Sequence, residues 1–105
     1  MSAAGMPDGN YKLGELDVRV KSNRAITGEN TLAGSTLTLD AAVQNYIRFA
    51  GLPLPQGLYA ATRNPARMAG FDSSIGVLAE GRRADLNVLS ASGAIQATYL
   101  GGVLA

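Results

Sequence analysis

The stretch ENTLAGSTLTLDAAVQNYIRFAG, residues 29–51, holds the change of pattern on which the fold turns. It begins polar, narrows to the small residues Ala33, Gly34 and Ser35 behind Leu32, and then becomes periodic. Leu39, Ala42, Val43, Tyr46, Ile47 and Ala50 recur at steps of three and four. That spacing predicts a helix with one apolar stripe, because side chains three and four apart share a face. Thr38 stands where an N-cap acceptor belongs, and Gly51 where a left-handed C′ residue belongs. The passage before the helix reads as a tight polar loop. Gly34 has no side chain to hold a ligand or another chain segment away from its backbone. On local chemistry alone the same residues also suit an ordinary turn.

Upstream, GMPDG (residues 5–9) reads as a turn, and YKLGELDVRV (11–20) reads as a strand in which Leu16, Val18 and Val20 alternate with Asp17, Arg19 and Lys21. A hairpin partner is predicted around Ala25 and Ile26, closed by a turn at Ser22 and Asn23. This zone carries too few apolar residues to stand alone. Downstream, Pro55 suits the first turn of a second helix with Leu58, Ala61 and Thr62 inward, and Gly57 reads as a weak point in it. Asn64 and Pro65 predict the cap and first residue of a short third helix that Gly70 ends. From Phe71 the period changes. Apolar runs at 75–78, 84–89 and 95–100, and Val103 and Leu104 after the pair Gly101 and Gly102, predict strands of a small sheet that needs another layer against it.

Composition narrows the chemistry. Of the 105 residues 47% are hydrophobic and 16% charged. Charged residues make up about 25% of a typical domain, so an unusually apolar surface is expected here, one that belongs against a further layer of protein. The net charge is +1, and no basic run stands out beyond Arg82 and Arg83. That pattern points neither to nucleic acid nor to an anionic membrane. No apolar run approaches the roughly 20 residues of a bilayer span and no secretory leader is recognisable, so a cytoplasmic chain is expected. There is no Cys and no His. Disulfides, thiolate or imidazole metal sites and a His general base are therefore excluded within this chain. The carboxylates are Asp8, Glu15, Asp17, Glu29, Asp40, Asp72, Glu80 and Asp85. Asp8 suits a turn and Asp40 a helix N-terminus. Glu15 and Asp17 are placed on one face of the predicted strand, where exposed neighbours of like charge are far commoner than an acid–base pair. No catalytic residue and no metal ligand is assigned.

Five stretches carry a resemblance. GVLAEGRRADLNVL (76–89) is similar to the glycine, ADL and aliphatic strand that close the small β-domain of the amidohydrolase superfamily, and YLGGVLA (99–105) to the strands that follow it. Together with MSAAGMPDGNYKLGELDVRV (1–20), TLAGSTLTLDAAVQNYI (31–47) and GLPLPQGLYAATRNPARMAG (51–70), in this order, they resemble the C-terminal quarter of the N-acetylglucosamine-6-phosphate deacetylase family. The resemblance implies an α/β fold: residues 1–70 as the end of a (β/α)8 barrel, and residues 71–105 as strands of a small β-sandwich domain. It implies a deacetylase that hydrolyses N-acetylglucosamine 6-phosphate to glucosamine 6-phosphate and acetate, with a divalent metal such as zinc and a catalytic Asp held by parts of the barrel absent from this chain. That Asp would stand two residues before Met1. The chain alone is expected to be inactive, to need the missing N-terminal barrel, and to belong to a homo-oligomer. Leu32, Ala33 and Gly34 match the segment that touches the bound sugar phosphate in the family. Arg63 and Gly57 depart from the family pattern, which has an aliphatic residue and Ala there. The alternative reading is a free-standing, non-catalytic scaffold or protein-binding module.

Overall fold

In a computed structural model of the protein, which describes residues 4–28 and 30–105, the alternation around Val18 becomes the centre of a four-stranded sheet. Residues 1–3 of the first family-like block and the carboxylate of Glu29 lie outside the described residues. The chain divides into two units, 1–38 and 39–105.

The first unit is an antiparallel meander of β1 (Gly9–Leu13), β2 (Leu16–Lys21), β3 (Arg24–Thr27) and β4 (Thr31–Gly34), adjacent in that order. The single strand expected over 11–20 is two. Gly14, with φ of 60°, takes the first place of a two-residue turn that brings Leu13 opposite Leu16. A positive φ at that position is what a II′ hairpin turn demands. Glu15 therefore lies in the turn, away from the strand face it was expected to share with Asp17, and Asp17 pairs with Lys12 at 2.7 Å. Ser22 and Asn23 form the expected second turn, both with positive φ (50° and 60°), the pattern of a type I′ hairpin. The Asp8 carboxylate accepts the Ser22 N–H at 3.0 and 3.1 Å. Val18, Val20 and Ala25 are buried on one face, with Tyr11, Leu13 and Ala33 packed against them. Burial of each valine contributes about 2 kcal/mol, which makes this cluster the anchor of the sheet.

In the second unit α1 (Leu39–Ala50) begins directly after Thr38 and ends as the sequence predicts. Gly51 has φ of 64° and the Leu52 N–H reaches back to the Ile47 carbonyl at 3.1 Å, the long bond of a Schellman cap. None of its residues is buried, and Leu39, Tyr46 and Phe49 are exposed. The second helix, α2 (Leu54–Ala61), carries Pro55 in its first turn. Its partly buried stripe is Leu54, Gly57, Leu58 and Ala61; Thr62, expected inward, is exposed and its hydroxyl donates to the Leu58 carbonyl at 2.8 Å. Gly57 is a contact point rather than a weak point. A Cβ there would lie 2.2 Å from Cγ1 of Ile47, so the bare backbone of α2 is what lets α1 come this close.

The third helix, α3 (Arg63–Met68), starts one residue before Asn64, so Asn64 is inside the helix and Pro65 occupies its third position. Proline is tolerated there because the first-turn N–H groups have no helical acceptor in any case. Gly70, with φ of 75°, ends it with both Schellman bonds: Phe71 N–H to the Ala66 carbonyl at 2.8 Å and Gly70 N–H to that of Arg67 at 3.2 Å. The run 75–78, expected as a strand, is irregular. Gly76, at φ of 91°, lies against α3 so closely that a Cβ would fall 2.6 Å from that of Ala66. This run covers α3, and its backbone is bent out of the extended form that pairing needs. β5 (Leu86–Leu89), β6 (Ile95–Leu100) and β7 (Val103–Leu104) form an antiparallel three-stranded sheet. Among the described residues no helix is long and apolar enough to cross a membrane.

Candidate functional site

Leu32, Ala33 and Gly34 occupy β4, so the segment read as a loop is a strand. It runs along one border of the sheet, with β3 as its neighbour. The pairing is irregular: Ala25 faces Gly34 while Ile26 faces Leu32, which leaves Ala33 as the extra residue of a bulge. A bulge redirects side chains. Ala33 turns into the core beside Val18, Val20 and Ala25, and Leu32 stays exposed. Gly34 is exposed with φ of 156°, a backbone form that residues with a Cβ rarely take. Of the three predicted residues, then, Leu32 offers an apolar side chain, Gly34 offers bare backbone, and the side chain of Ala33 belongs to the core.

The chain after β4 is held by its own hydrogen bonds. The Ser35 hydroxyl accepts the Leu37 N–H at 3.0 Å, the Thr36 hydroxyl donates to the Asn23 carbonyl at 2.9 Å, and the Thr36 carbonyl accepts the Gly5 N–H at 3.1 Å. The site is thus a fixed strand end able to bind through backbone and an apolar side chain. Among the described residues no carboxylate is placed at this strand end for acid–base chemistry. Asp8 and Asp17 are engaged elsewhere in the sheet as described, and among the described residues no three carboxylates converge to hold a metal ion.

A second feature was invisible in the linear sequence. The hairpin register places Lys21 directly opposite Arg24 and Arg19 opposite Ile26, so Arg19, Lys21 and Arg24 share the face away from the valine core. With Ser22 and Asn30 they surround a depression of about 290 Å³ floored by Ile26, which is itself 8% exposed. In the chain these cations are spaced by Val20 and a turn, so no basic run appears. Alternation along β2, combined with the type I′ turn, was the signal that could have gathered them.

A model of the amidohydrolase family matches residues 17–105. The chain belongs to the amidohydrolase family. It is 39% identical to an N-acetylgalactosamine-6-phosphate deacetylase of Escherichia coli over 105 residues, which is 100% of this chain and 28% of that protein. It is 38% identical over 104 residues to the N-acetylglucosamine-6-phosphate deacetylase of Vibrio furnissii, covering 99% of this chain and 26% of the relative. Among solved structures, an N-acetyl-D-glucosamine-6-phosphate deacetylase variant of Mycobacterium smegmatis in complex with N-acetyl-D-glucosamine-6-phosphate superposes on 99% of this chain with a TM-score of 0.81 at 39% identity, using 28% of its own length. The chain spans between a quarter and a third of each of these amidohydrolase relatives.

Proposed function

We propose that this chain is the C-terminal part of an N-acetylglucosamine-6-phosphate deacetylase, with residues 1–70 ending the barrel and 71–105 contributing to the small β-domain. The observation that carries the reading is end-to-end similarity to deacetylases of amino-sugar phosphates, one of them solved with the sugar phosphate bound. On this reading the enzyme removes the acetyl group of N-acetylglucosamine 6-phosphate, and this segment contributes to substrate binding. Gly34 presents backbone to the sugar phosphate and Leu32 an apolar wall, while the Ala33 bulge fixes both. A divalent metal is implied for the parent enzyme. The described residues do not fit one, since they hold no cluster of metal-ligating side chains, and neither metal nor proton transfer is assigned to them. On this reading the chain alone is expected to show no hydrolytic activity.

The test is a graft. This segment replaces its counterpart in the Vibrio furnissii enzyme, and acetate release from N-acetylglucosamine 6-phosphate is followed with and without Gly34→Val. The chimera is expected to be active. Gly34→Val is expected to raise KM about tenfold or more, which corresponds to roughly 1.4 kcal/mol of lost binding, with metal content unchanged. A valine that lowers the melting temperature and leaves KM untouched would make Gly34 a turn residue only.

A further inference from the structure

Arg19, Lys21 and Arg24 present three positive charges on one small face, and none of them has an ion-pair partner among the described residues. Among the described residues the nearby carboxylates are committed: Asp17 pairs with Lys12 at 2.7 Å and Asp8 caps the Ser22 N–H at 3.0 Å. Lys21 and Arg24 stand directly opposite each other across the hairpin. Like charges in that relation destabilise a sheet by up to about 1 kcal/mol, and the type I′ turn next to them fixes the register, so the pair cannot slip apart. The depression they border has a buried apolar floor in Ile26, which lowers the local dielectric and strengthens any charge interaction above it. Two guanidinium groups and one ammonium around a concave floor match the oxygens of a phosphate group, which arginine engages through two parallel N–H donors.

We propose that this face of β2 and β3 is an anion site that takes a dianionic phosphate group between Arg19, Lys21 and Arg24. The inference is independent of the deacetylase reading, since it uses none of Leu32, Ala33 and Gly34; its residues come from β2, β3, the turn between them and Asn30. Bound phosphate neutralises the Lys21 and Arg24 repulsion, so binding also stabilises the first unit. The phosphate comes either as the free inorganic ion or as the phosphate of a sugar monoester.

Titration of the full chain, at low ionic strength where exposed charges are least screened, separates these sources. One arm uses inorganic phosphate and the other glucosamine 6-phosphate, with amide chemical shifts and heat as readouts. Saturable binding with a dissociation constant on the order of 1 mM is expected, with shifts concentrated at Arg19, Lys21, Ser22, Arg24 and Asn30. Arg19→Gln and Arg24→Gln should each weaken it about tenfold, the loss of one charge-assisted hydrogen-bonded contact. Arg48→Gln, on α1 outside this hairpin, should leave it unchanged. Equal affinity in both arms assigns the site to the phosphate ion itself, and tighter binding of the monoester assigns it to a sugar phosphate. Absence of saturable binding, shifts that map elsewhere, or affinity that survives Arg24→Gln overturns the proposal. So does tight binding of RNA or anionic vesicles that phosphate fails to displace.

Discussion

Gly57 shows how a single residue can carry opposite meanings at different levels of structure. Inside a helix, glycine is less favourable than alanine by about 1 kcal/mol, and local propensity alone recommends Gly57→Ala. The packing reverses that advice. The added methyl would meet Cγ1 of Ile47 at 2.2 Å and Cδ1 at 2.6 Å, and these atoms belong to a β-branched side chain with little rotamer freedom in a helix. Overpacking of this kind costs about 1–3 kcal/mol. Gly57→Ala is therefore expected to lower stability by up to about 2 kcal/mol net, read as a lower urea midpoint at unchanged slope. The double variant with Ile47→Ala should lose less than the sum of the two single changes, because the clash is gone. An additive result would place the contact elsewhere. Arg82 is the counterpart among polar groups: its Nη1 is buried without a hydrogen-bond partner among the described residues, a donor whose desolvation none of them offsets.

At the scale of elements, the ADL segment before β5 acts as a clasp. One oxygen of Asp85 accepts the Gly101 N–H at 2.8 Å, and the other pairs with Arg83 at 2.8 Å. The Gly102 N–H binds the Ala84 carbonyl at 2.9 Å. Gly101 and Gly102 both have positive φ, 58° and 86°, so the β6–β7 hairpin closes through a I′ turn that only such residues enter freely. Asp85 thus ties the turn of one hairpin to the entrance of the neighbouring strand. The exposed Arg83 pair contributes little, and the charge-assisted bond to the turn contributes more. Asp85→Asn is expected to lower stability by about 1 kcal/mol and to leave catalysis in a grafted enzyme unchanged; loss of turnover with unchanged melting would contradict this clasp. The anion face on β2 and β3 belongs to this scale too, since it exists only through the pairing of two strands.

For the whole molecule, the distribution of apolar surface is the dominant fact. Leu39, Phe49, Met68 and Leu78 are 68%, 77%, 88% and 87% exposed, and α1 has no buried residue. Isolated apolar residues on a surface are ordinary, but a helix stripe left open is an interaction surface or an aggregation hazard. The chain in isolation is expected to sediment as dimers or larger species; a monomer that unfolds cooperatively would show that its units are self-sufficient. Metal chemistry is a second property of the whole. After dialysis against zinc, the chain is expected to retain only sub-stoichiometric metal, and a tightly held equivalent would reveal a ligand set that the described residues do not show.

Period and punctuation in the sequence determined much of this architecture. The three- and four-residue recurrence of α1, the glycines that stop α1 and α3, the Ser22 and Asn23 turn and the double-glycine turn of the last hairpin were all legible, because each rests on contacts within a few residues. Family membership was legible too, in blocks whose order survives without any knowledge of contacts. Other features were decided only by tertiary structure. The break at Gly14 and Glu15, the bulge that sends Ala33 inward, and the bending of residues 75–78 over Ala66 depend on which distant backbone each segment meets. The candidate binding segment followed the same division. The family resemblance singled out Leu32, Ala33 and Gly34, but their division into exposed apolar side chain, core contact and bare backbone required the register against β3. The same is true of the cations of β2 and β3. A strand of period two sends neighbours to opposite faces, and only pairing across the sheet decides which side chains finally stand together.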